Sequence, residues 1–191
     1  MPFNKLKEWL GTEKELGIKD PNCAVLSTCN GSGEPHSREV AIREIETESL
    51  LFFTQQKTRK VSELLNNPKS SLNFLFSMQN RQVILEGVAI PLSAAENEDF
   101  WNTLPRERQL KFSAYAPTSS QVIKNLNQLE VKKKELIEQF DGLAIPVSKD
   151  YFGFRFIPET CVFYTVGAAS FSEVIRYSKI KDSWKTELVS P

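Results

Sequence analysis

The sequence has few of the features that mark metal or membrane proteins. Its 191 residues include one histidine and three cysteines, and no group of His, Cys, Asp or Glu has the spacing of a metal site. No apolar run approaches the roughly 18 residues that a membrane-spanning helix needs. The first residues, MPFNKLKEWLGTEKELG, lack the apolar centre of a signal peptide. We therefore expect no metal, no membrane attachment and a cytoplasmic location.

The three cysteines are placed as isolated thiols. Cys23 and Cys29 lie in CAVLSTC, where a strand would hold them about 20 Å apart, beyond the reach of a disulfide. Cys161 falls in another apolar segment, and unpaired thiols are typical of a reducing cytoplasm. A nucleophilic cysteine needs a neighbouring base, and we expect His36, in EPHSR, to be a surface residue. We expect buried, inert thiols.

Excess charge and glycine motifs are also missing. Lys plus Arg and Asp plus Glu both number 24, so the net charge is zero with histidine neutral. This balance argues against nucleic-acid binding through bulk positive charge. Neither G-x-G-x-x-G nor G-x-x-x-x-G-K occurs, which argues against a dinucleotide crevice or a P-loop. Because acid–base candidates are scarce, an enzyme with this sequence would depend on a cofactor for its chemistry.

Hydrophobic alternation predicts a mainly β protein. The predicted strands are residues 23–29, 35–45, 50–55, 71–77, 81–92, 151–157, 160–166, 171–178 and 184–189. They follow one another rather than alternating with helices, which disfavours a doubly wound parallel sheet. Closing such strands into an antiparallel barrel removes exposed edges. We therefore predict an α+β fold, a single domain over residues 1–191, whose main part is an antiparallel β-barrel.

Helical segments complete the predicted domain. Residues 1–18 form an N-terminal helix with one apolar face, made of Phe3, Leu6, Trp9 and Leu10. A second helix follows Thr58, with apolar positions at Val61, Leu64 and Leu65. Residues 93–140 form a helical insertion that opens with a capping box, Ser93 and Glu96, and ends in a longer helix over 118–140.

The segment FFTQQKTRK, residues 52–60, combines cations and hydroxyls at the start of a predicted helix. A helix N-terminus favours anions through its free N–H groups and its dipole. Thr54 and Thr58 offer hydroxyl donors to a phosphate, and Arg59 and Lys60 offer positive charge. The pattern indicates a phosphate-monoester site. The alternative, from the residues alone, is a solvated and capped helix start whose cations pair with nearby glutamates.

Two more cations lie on the preceding strand, in REVAIRE. Along a strand, Arg38, Val40 and Ile42 share one face, and Ala41 and Arg43 the other. Together with the turn at Arg59 and Lys60, the two arginines bring up to four cations to one region of the predicted sheet.

These motifs, taken in order, resemble one known family. The order R-x-V-x-I-R, F-F-T, T-R-K, N-N-P and N-R-Q-V-x-x-E-G-V-A is similar to that of the pyridoxamine 5'-phosphate oxidase family of FMN-binding split barrels, over roughly residues 20–167. The resemblance implies an antiparallel split β-barrel and a homodimer with FMN at the subunit interface. It also implies an oxidoreductase that moves a hydride from a small-molecule substrate to flavin N5, with reoxidation by oxygen.

Carried over position by position, the resemblance implies the residues that hold FMN. They are Arg38, Glu39, Val40, Ala41, Ile42, Arg43, Phe53, Thr54, Thr58, Arg59, Lys60, Gln82, Ser119, Ser120 and Tyr164. Thr58, Arg59 and Lys60 form the phosphate side, and Gln82 is expected to reach the flavin from the partner subunit. Some positions differ from the family residue: Arg43 replaces lysine, Phe53 tyrosine, Ser119 glutamine and Tyr164 tryptophan.

The substrate side departs further from the family pattern. The family's Y-F-x-x-R-P appears as FWNTLP, so Phe100 replaces the tyrosine, and Leu104 replaces the arginine that grips the substrate phosphate. The segment SFSEV, residues 170–174, replaces the family's R-L-H-D-R, and the nearest cations are Arg176 and Lys179. The candidates for substrate contact are Arg43, Phe100, Leu104, Arg106 and Arg108.

Three functions stay open at this point. The first is an FMN-dependent oxidase close to pyridoxamine 5'-phosphate oxidase. The second is a related flavin oxidoreductase with another substrate, such as a phenazine-pathway-like oxidase or a flavin reductase, and the lost arginine and histidine favour it. The third is a non-catalytic flavin-binding module. The sequence assigns no catalytic side chain in any of them.

Overall fold

A computed structural model describes residues 1–167 and 169–191 of the chain. The elements are α1 (Pro2–Glu15), β1 (Cys23–Cys29), β2 (Pro35–Ile45), β3 (Leu50–Gln55), α2 (Arg59–Asn66), β4 (Lys69–Phe76), β5 (Arg81–Pro91), α3 (Ala94–Thr103), α4 (Arg106–Tyr115), α5 (Asn127–Gln139), β6 (Tyr151–Thr165), β7 (Glu173–Ile180) and β8 (Ser183–Val189). Short 3₁₀ turns lie at Ser77–Gln79 and Ala116–Thr118. The strands β1, β2 and β3 have the predicted bounds.

The strands form an antiparallel barrel. They pair in the order β3-β2-β1-β4-β5-β6-β7-β8, and β3 also pairs with β6. This extra pairing closes β1 to β6 into a barrel, and β7 and β8 continue from β6 by antiparallel pairing. Closure gives each barrel strand two neighbours, which is how such folds protect their backbone hydrogen-bonding groups. The predicted fold class, an α+β protein with an antiparallel split β-barrel, is confirmed.

Packing divides the described chain into two compact units. The first unit consists of Met1–Phe52, Glu63–Ile90 and Phe154–Pro191. The second unit consists of Phe53–Ser62 and Pro91–Gly153. The first contains most of the strand residues, and the second contains α3, α4 and α5. One domain over residues 1–191 stays a prediction.

The core of the first unit is rich in phenylalanine. Its fully buried side chains include Phe52, Phe74, Phe76, Phe154, Phe156 and Phe163. The predicted apolar face of α1 is confirmed, because Phe3, Leu6, Trp9 and Leu10 are all buried. The indole of Trp9 meets the rings of Phe76 and Phe163 edge-on, at centroid distances of 6.0 and 5.1 Å. This contact fixes α1 against the strand residues of the unit.

The second unit packs around Trp101. This side chain is fully buried, and its indole N–H donates to the carbonyl of Ile145 at 3.1 Å. The rings of Phe112 and Tyr151 lie edge-on to it, at 5.8 and 5.1 Å. The unit therefore has an aromatic core of its own, which positions the turn and loop described below.

The helical insertion differs in detail from the prediction. The capping box of Ser93 and Glu96 is present at the start of α3. Helix α4, residues 106–115, was not predicted, because RERQLKFSAY has little apolar periodicity and begins after a proline. The predicted helix over 118–140 is shorter, since α5 covers only Asn127–Gln139.

Sequence analysis divides β6 into two strands at Pro158, and this is wrong. The strand runs unbroken for 15 residues. On the neighbouring strand β5, a Cβ atom added to Gly87 would lie 2.8 Å from the Cα of Pro158 and would collide with the carbonyl oxygen of Ile157. Glycine thus lets the two backbones approach closely, and β6 continues through the proline.

Helix α2 presents a different face from the predicted one. Val61 and Leu64 are buried as expected, but Leu65 is 56% exposed, whereas Glu63 is only 5% exposed. The prediction that Leu65 faces the core is wrong, because the helix directs the carboxylate of Glu63 inward to polar partners.

Candidate functional site

In the second unit, the turn between β3 and α2 gathers three of the predicted phosphate-binding residues. The Nζ of Lys60 donates to the Oγ1 of Thr54 at 2.8 Å and to the Oγ1 of Thr58 at 3.4 Å. Both threonines are almost fully buried. Arg59, the first residue of α2, is exposed. The turn therefore holds one ammonium group on two hydroxyls at the start of a helix.

Thr58 occupies the N-cap position of α2, as the sequence predicts. Its carbonyl accepts the N–H groups of Val61 and Ser62, at 3.0 and 3.3 Å. The turn is also bound from the other side by Asp150, whose carbonyl accepts the N–H of Gln56 at 2.9 Å. These backbone contacts fix the conformation of the turn.

Gln55, which sequence analysis did not single out, connects this turn with the loop that carries Ser119. Its side-chain Oε1 accepts from the hydroxyls of Ser119 at 3.3 Å and of Thr54 at 3.4 Å. Its Nε2 donates to the hydroxyl of Tyr115 at 3.1 Å. Ser120 follows in a left-handed conformation, with φ of 63°. The structure thus brings the predicted residues Thr54 and Ser119 together through a residue outside the family motif.

Phe53 belongs to an aromatic stack in the second unit. Its ring lies nearly parallel to that of Tyr151 at 4.9 Å and is tilted against Phe100 at 4.9 Å. A Cβ added to Gly153 would come within 2.6 Å of the Phe53 ring. The Phe53 ring therefore needs glycine at position 153. Unlike the tyrosine of the family, Phe53 has no hydroxyl that would need a hydrogen-bond partner in this stack.

In the first unit, residues 38–43 form the middle of β2. Val40 and Ile42 are buried, and Glu39 and Arg43 are exposed, as alternation predicts. A bulge between Ile42 and Glu44 shifts the pairing with β3. Arg38 and Ala41 are half-buried.

The guanidinium of Arg38 is bound by Thr28, Leu26 and Glu63, which all belong to the first unit. Its Nη1 donates to the hydroxyl of Thr28 at 2.6 Å and to the carbonyl of Leu26 at 3.3 Å. Its Nη2 lies 3.5 Å from the Oε2 of Glu63. His36, expected at the surface, instead places its Nδ1 2.6 Å from the Oε1 of Glu63 and is 21% exposed. Contact of Arg38 with a flavin stays a prediction.

This polar cluster shifts the ionisation of Glu63. Burial acts to raise the pKa of the carboxyl, but hydrogen bonds with Thr28 and His36 and the charge of Arg38 outweigh it, so the pKa is lowered. The hydroxyl of Thr28 donates to Oε2 at 2.5 Å. Glu63 is therefore ionised at neutral pH and fixes the guanidinium of Arg38. Sequence analysis missed Glu63. Its position between the apolar residues Val61 and Leu64 of the predicted helix could have indicated a buried carboxylate.

Gln82 lines a cavity on the first unit. Its Nε2 donates to the Oδ1 of Asn73 at 3.0 Å. The cavity, of about 410 Å³, is also lined by Glu39, Cys23 and Leu75. Two predicted flavin residues, Glu39 and Gln82, thus share one concave surface.

Cys23 and Cys161 are poor nucleophiles in this structure. Burial and the carboxylate of Glu39 raise the pKa of the Cys23 thiol. Burial raises the pKa of Cys161 to about 12. Cys161 is buried as expected, whereas Cys23 and Cys29 are half-buried. Thiols with raised pKa values stay protonated at neutral pH, which agrees with their expected inertness.

Tyr164, a predicted flavin residue, lies on β6. It is half-buried and pairs with Val174 on β7. The cations nearest to SFSEV, residues 170–174, are both in ion pairs. Arg176 lies 3.1 Å from Glu187, and Lys179 lies 2.5 Å from Glu48.

The predicted substrate residues of the second unit are mostly engaged in packing. Phe100 and Leu104 are half-buried against the aromatic core. Arg106 donates to the carbonyls of Leu143 at 2.7 Å and of Phe140 at 2.5 Å, just beyond α5, where a cation complements the helix dipole. Arg108 is exposed. Contact of these residues with a substrate stays a prediction.

The predicted cofactor residues divide between the two units. The first unit holds Arg38, Glu39, Val40, Ala41, Ile42, Arg43, Gln82 and Tyr164. The second holds Phe53, Thr54, Thr58, Arg59, Lys60, Ser119 and Ser120. Across residues 1–167 and 169–191, no group of three or more His, Cys, Asp or Glu side chains is placed to hold a metal. Within the same residues, no helix has the length and apolarity needed to cross a membrane.

Comparison with known proteins agrees with this architecture. Residues 12–140 match the sequence profile of pyridoxamine 5'-phosphate oxidase. A pyridoxine/pyridoxamine 5'-phosphate oxidase of Alteromonas mediterranea is 31% identical over 191 residues, covering 100% of this chain and 89% of the relative. The corresponding protein of Microcystis aeruginosa is 29% identical, covering 100% and 88%.

Two solved structures share the fold. PhzG of Burkholderia lata 383, in complex with tetrahydrophenazine-1-carboxylic acid, matches with a TM-score of 0.87 and 25% identity, covering 100% of this chain and 92% of PhzG. A pyridoxamine 5'-phosphate oxidase-related, FMN-binding protein of Nostoc punctiforme PCC 73102 matches with a TM-score of 0.79 and 15% identity, covering 98% and 96%.

The order of the strands and the structural matches show the class of the protein, a split barrel with helical additions. The profile match and the identity along the whole chain then give the family. The chain belongs to the pyridoxamine 5'-phosphate oxidase family. Membership in this family supports an oxidoreductase-like protein.

Proposed function

We propose that this chain is an FMN-dependent oxidoreductase that acts as a homodimer. The observation that carries the proposal is the position of Lys60, whose ammonium rests on the hydroxyls of Thr54 and Thr58 at the start of α2. A fixed cation at a helix N-terminus is suited to a phosphate monoester, and FMN has such a group where riboflavin has none.

The residues present fit this cofactor chemically. Lys60 and Arg59 would hold the phosphate. The first N–H groups of α2 would add hydrogen-bond donors that carry partial positive charge. Bound FMN would supply a two-electron acceptor for a hydride at N5 and a route for those electrons to oxygen. The protein's own part is to bind, to orient and to shield the reacting groups.

The homodimer is supported by the cavity around Gln82. Leu75 is 73% exposed and Val25 is 40% exposed, and both line this cavity. Exposed apolar side chains gathered at one place mark surfaces that a partner covers. A second copy seated here would bring its own residues to Gln82, which is the residue expected to serve the partner's cofactor.

For the substrate, a second candidate function has specific support. Leu104 occupies the position of the family's phosphate-binding arginine, and the guanidinium of Arg106 is bound to backbone carbonyls. PhzG, which is similar along the whole chain, is described with a tetrahydrophenazine carboxylic acid, a ligand without a phosphate. We therefore propose a phenazine-pathway-like oxidase as the alternative to a pyridoxamine 5'-phosphate oxidase.

Anaerobic reduction tests these proposals. The FMN-loaded protein is mixed without oxygen with pyridoxamine 5'-phosphate, with tetrahydrophenazine-1-carboxylic acid or with NADH, and flavin absorbance is followed near ~450 nm. Bleaching by the first compound supports the oxidase of the family name, and bleaching by the second supports the alternative. Bleaching by NADH alone would indicate a flavin reductase. Persistent absorbance with all three would contradict an oxidoreductase and favour a flavin-binding module.

A further inference from the structure

Gln55 determines the direction of the two threonine hydroxyls at the start of α2. A hydroxyl group has one hydrogen to donate and accepts through its lone pairs. Thr58 donates its hydrogen to the backbone carbonyl of Gln55 at 2.8 Å. Thr54 donates its hydrogen to the side-chain Oε1 of Gln55 at 3.4 Å. Both threonines are thereby left as acceptors on their other side.

Lys60 occupies this acceptor side. Its ammonium donates to Thr54 and to Thr58. The threonines therefore hold the lysine, whereas the sequence suggested that they donate to the phosphate themselves. Their near-complete burial, at 3% and 4% exposure, fits a supporting role better than direct contact with a ligand.

The side chain of Gln55 is itself held in one orientation. Its Nε2 donates to the hydroxyl of Tyr115, so its Oε1 is directed to Ser119 and Thr54. The hydroxyl of Thr54 already accepts from Lys60. A reversed amide would face it with a second donor and would leave its hydrogen without the acceptor that Oε1 provides. One glutamine thus couples the loop at Ser119 with the turn at Lys60.

We propose that Gln55 is a positioning residue for the phosphate end of the cofactor. Its side chain fixes Thr54, one of the two threonine acceptors that hold Lys60, and ties the Ser119 loop to the same point. Its backbone carbonyl fixes the other acceptor, Thr58. This inference rests on the proposed function, because it takes Lys60 as the phosphate-binding cation. It adds a residue that the family motif does not contain and assigns Thr54 and Thr58 to supporting the lysine.

The test compares the binding of FMN with that of riboflavin, which lacks the phosphate. A change that acts on the phosphate site should weaken only FMN binding. Gln55→Met removes both ends of the amide and keeps the length of the side chain. Its dissociation constant for FMN should rise about five- to tenfold, the range of one or two ordinary hydrogen bonds, and that for riboflavin less than about twofold. Gln56→Met, the same change at the exposed neighbour, is the matched control and should leave both constants unchanged.

A milder variant keeps the test valid if Gln55→Met folds poorly. Tyr115→Phe removes only the hydroxyl that orients the Gln55 amide and keeps the ring against Phe112, at 5.4 Å. It should lower the preference for FMN over riboflavin about two- to threefold. A preference equal to that of the unchanged protein in both variants would overturn the role of Gln55.

The route through Lys60 is tested by combining changes. In a Lys60→Ala background, Gln55→Met should have less than about half of its single effect on FMN binding, because the group that it positions is gone. Fully additive effects would overturn the inference. An unchanged protein that binds riboflavin as tightly as FMN would overturn the proposed phosphate site as well, whereas a strong FMN preference retained in Gln55→Met would overturn only the role of Gln55.

Discussion

Arg38 and Glu63 form an ion pair in the first unit, with Nη2 and Oε2 3.5 Å apart, and both side chains bind the hydroxyl of Thr28. A carboxylate on α2 therefore fixes an arginine that the family resemblance assigns to the flavin. Because Glu63 is 5% exposed, its charge depends on these partners. The stability of this cluster and the position of Arg38 are linked.

Glu63→Gln should reduce the free energy of unfolding by about 1–3 kcal/mol at neutral pH, because Arg38 and Thr28 lose a charged partner. Urea denaturation of the cofactor-free protein measures this. Glu86→Gln, an exposed glutamate on β5, is the control and should change the free energy by less than about 0.5 kcal/mol. Equal effects of the two changes would show that the buried cluster contributes no net stability.

The same pair predicts a pH dependence of stability. The pKa of Glu63 is lowered in the folded protein from about 4.5 in the unfolded chain. On acidification the unfolded chain therefore takes up this proton first, so the contribution of Glu63 is present above about pH 4.5 and is lost as the pH falls through the folded value. The difference in unfolding free energy between the unchanged protein and Glu63→Gln should shrink towards pH 3. A constant difference between pH 7 and pH 3 would contradict this assignment.

Lys60→Ala should weaken FMN binding by about 1.5–3 kcal/mol, the range of a charge-assisted hydrogen bond. Riboflavin binding should change little, because it has no phosphate. Titration of each flavin, followed by its fluorescence, measures both constants. Lys69→Ala, which removes an exposed lysine of β4, is the control. Equal weakening of both flavins would identify Lys60 as a structural residue.

Leu75→Glu should convert the proposed homodimer to a monomer and weaken FMN binding in parallel, because a charge is placed on the surface that the second copy would cover. Light scattering measures the mass, and flavin titration measures binding. Leu188→Glu, at 76% exposure on β8, is the matched control and should remain dimeric. A monomeric protein that binds FMN fully would contradict the shared site.

Much of the barrel could be predicted because alternation and turn residues determine it locally. The bounds of β1, β2 and β3 follow from CAVLSTC, from the turn before Pro35 and from the apolar run at Leu50. The break predicted at Pro158 failed because the close approach of Gly87 is a contact between strands that lie far apart in the sequence. Local patterns contain no information about such a contact.

The candidate site shows the same division between local and distant information. Thr54, Thr58 and Lys60 were predicted because they lie in one turn, and the structure brings them together. Gln55 and Glu63 were missed because their roles come from Tyr115 and Arg38, on other elements. A polar residue between motif positions is therefore worth testing as a support for its neighbours.

Leu104 stands where the family resemblance places an arginine that binds the substrate phosphate. Leu104→Arg should raise kcat/KM for pyridoxamine 5'-phosphate about ten- to a hundredfold, which corresponds to about 1.4–2.7 kcal/mol and is within reach of one charged contact. Leu104→Gln, of similar length but without charge, is the control and should give no gain. Thermal unfolding of both variants accounts for the packing that Leu104 loses against the aromatic core.

The activity of the unchanged protein decides between the two substrate proposals. Arg106 is bound to the carbonyls of Phe140 and Leu143, and Arg176 is paired with Glu187. For either to take over the substrate phosphate, it would have to leave these partners, so we expect kcat/KM for pyridoxamine 5'-phosphate well below the roughly 10⁴ M⁻¹s⁻¹ of an ordinary enzyme. A value at or above that level, with no gain in Leu104→Arg, would show that another cation has replaced the missing arginine. The phosphorylated pyridoxamine would then be the substrate, and the phenazine-pathway-like alternative would be wrong.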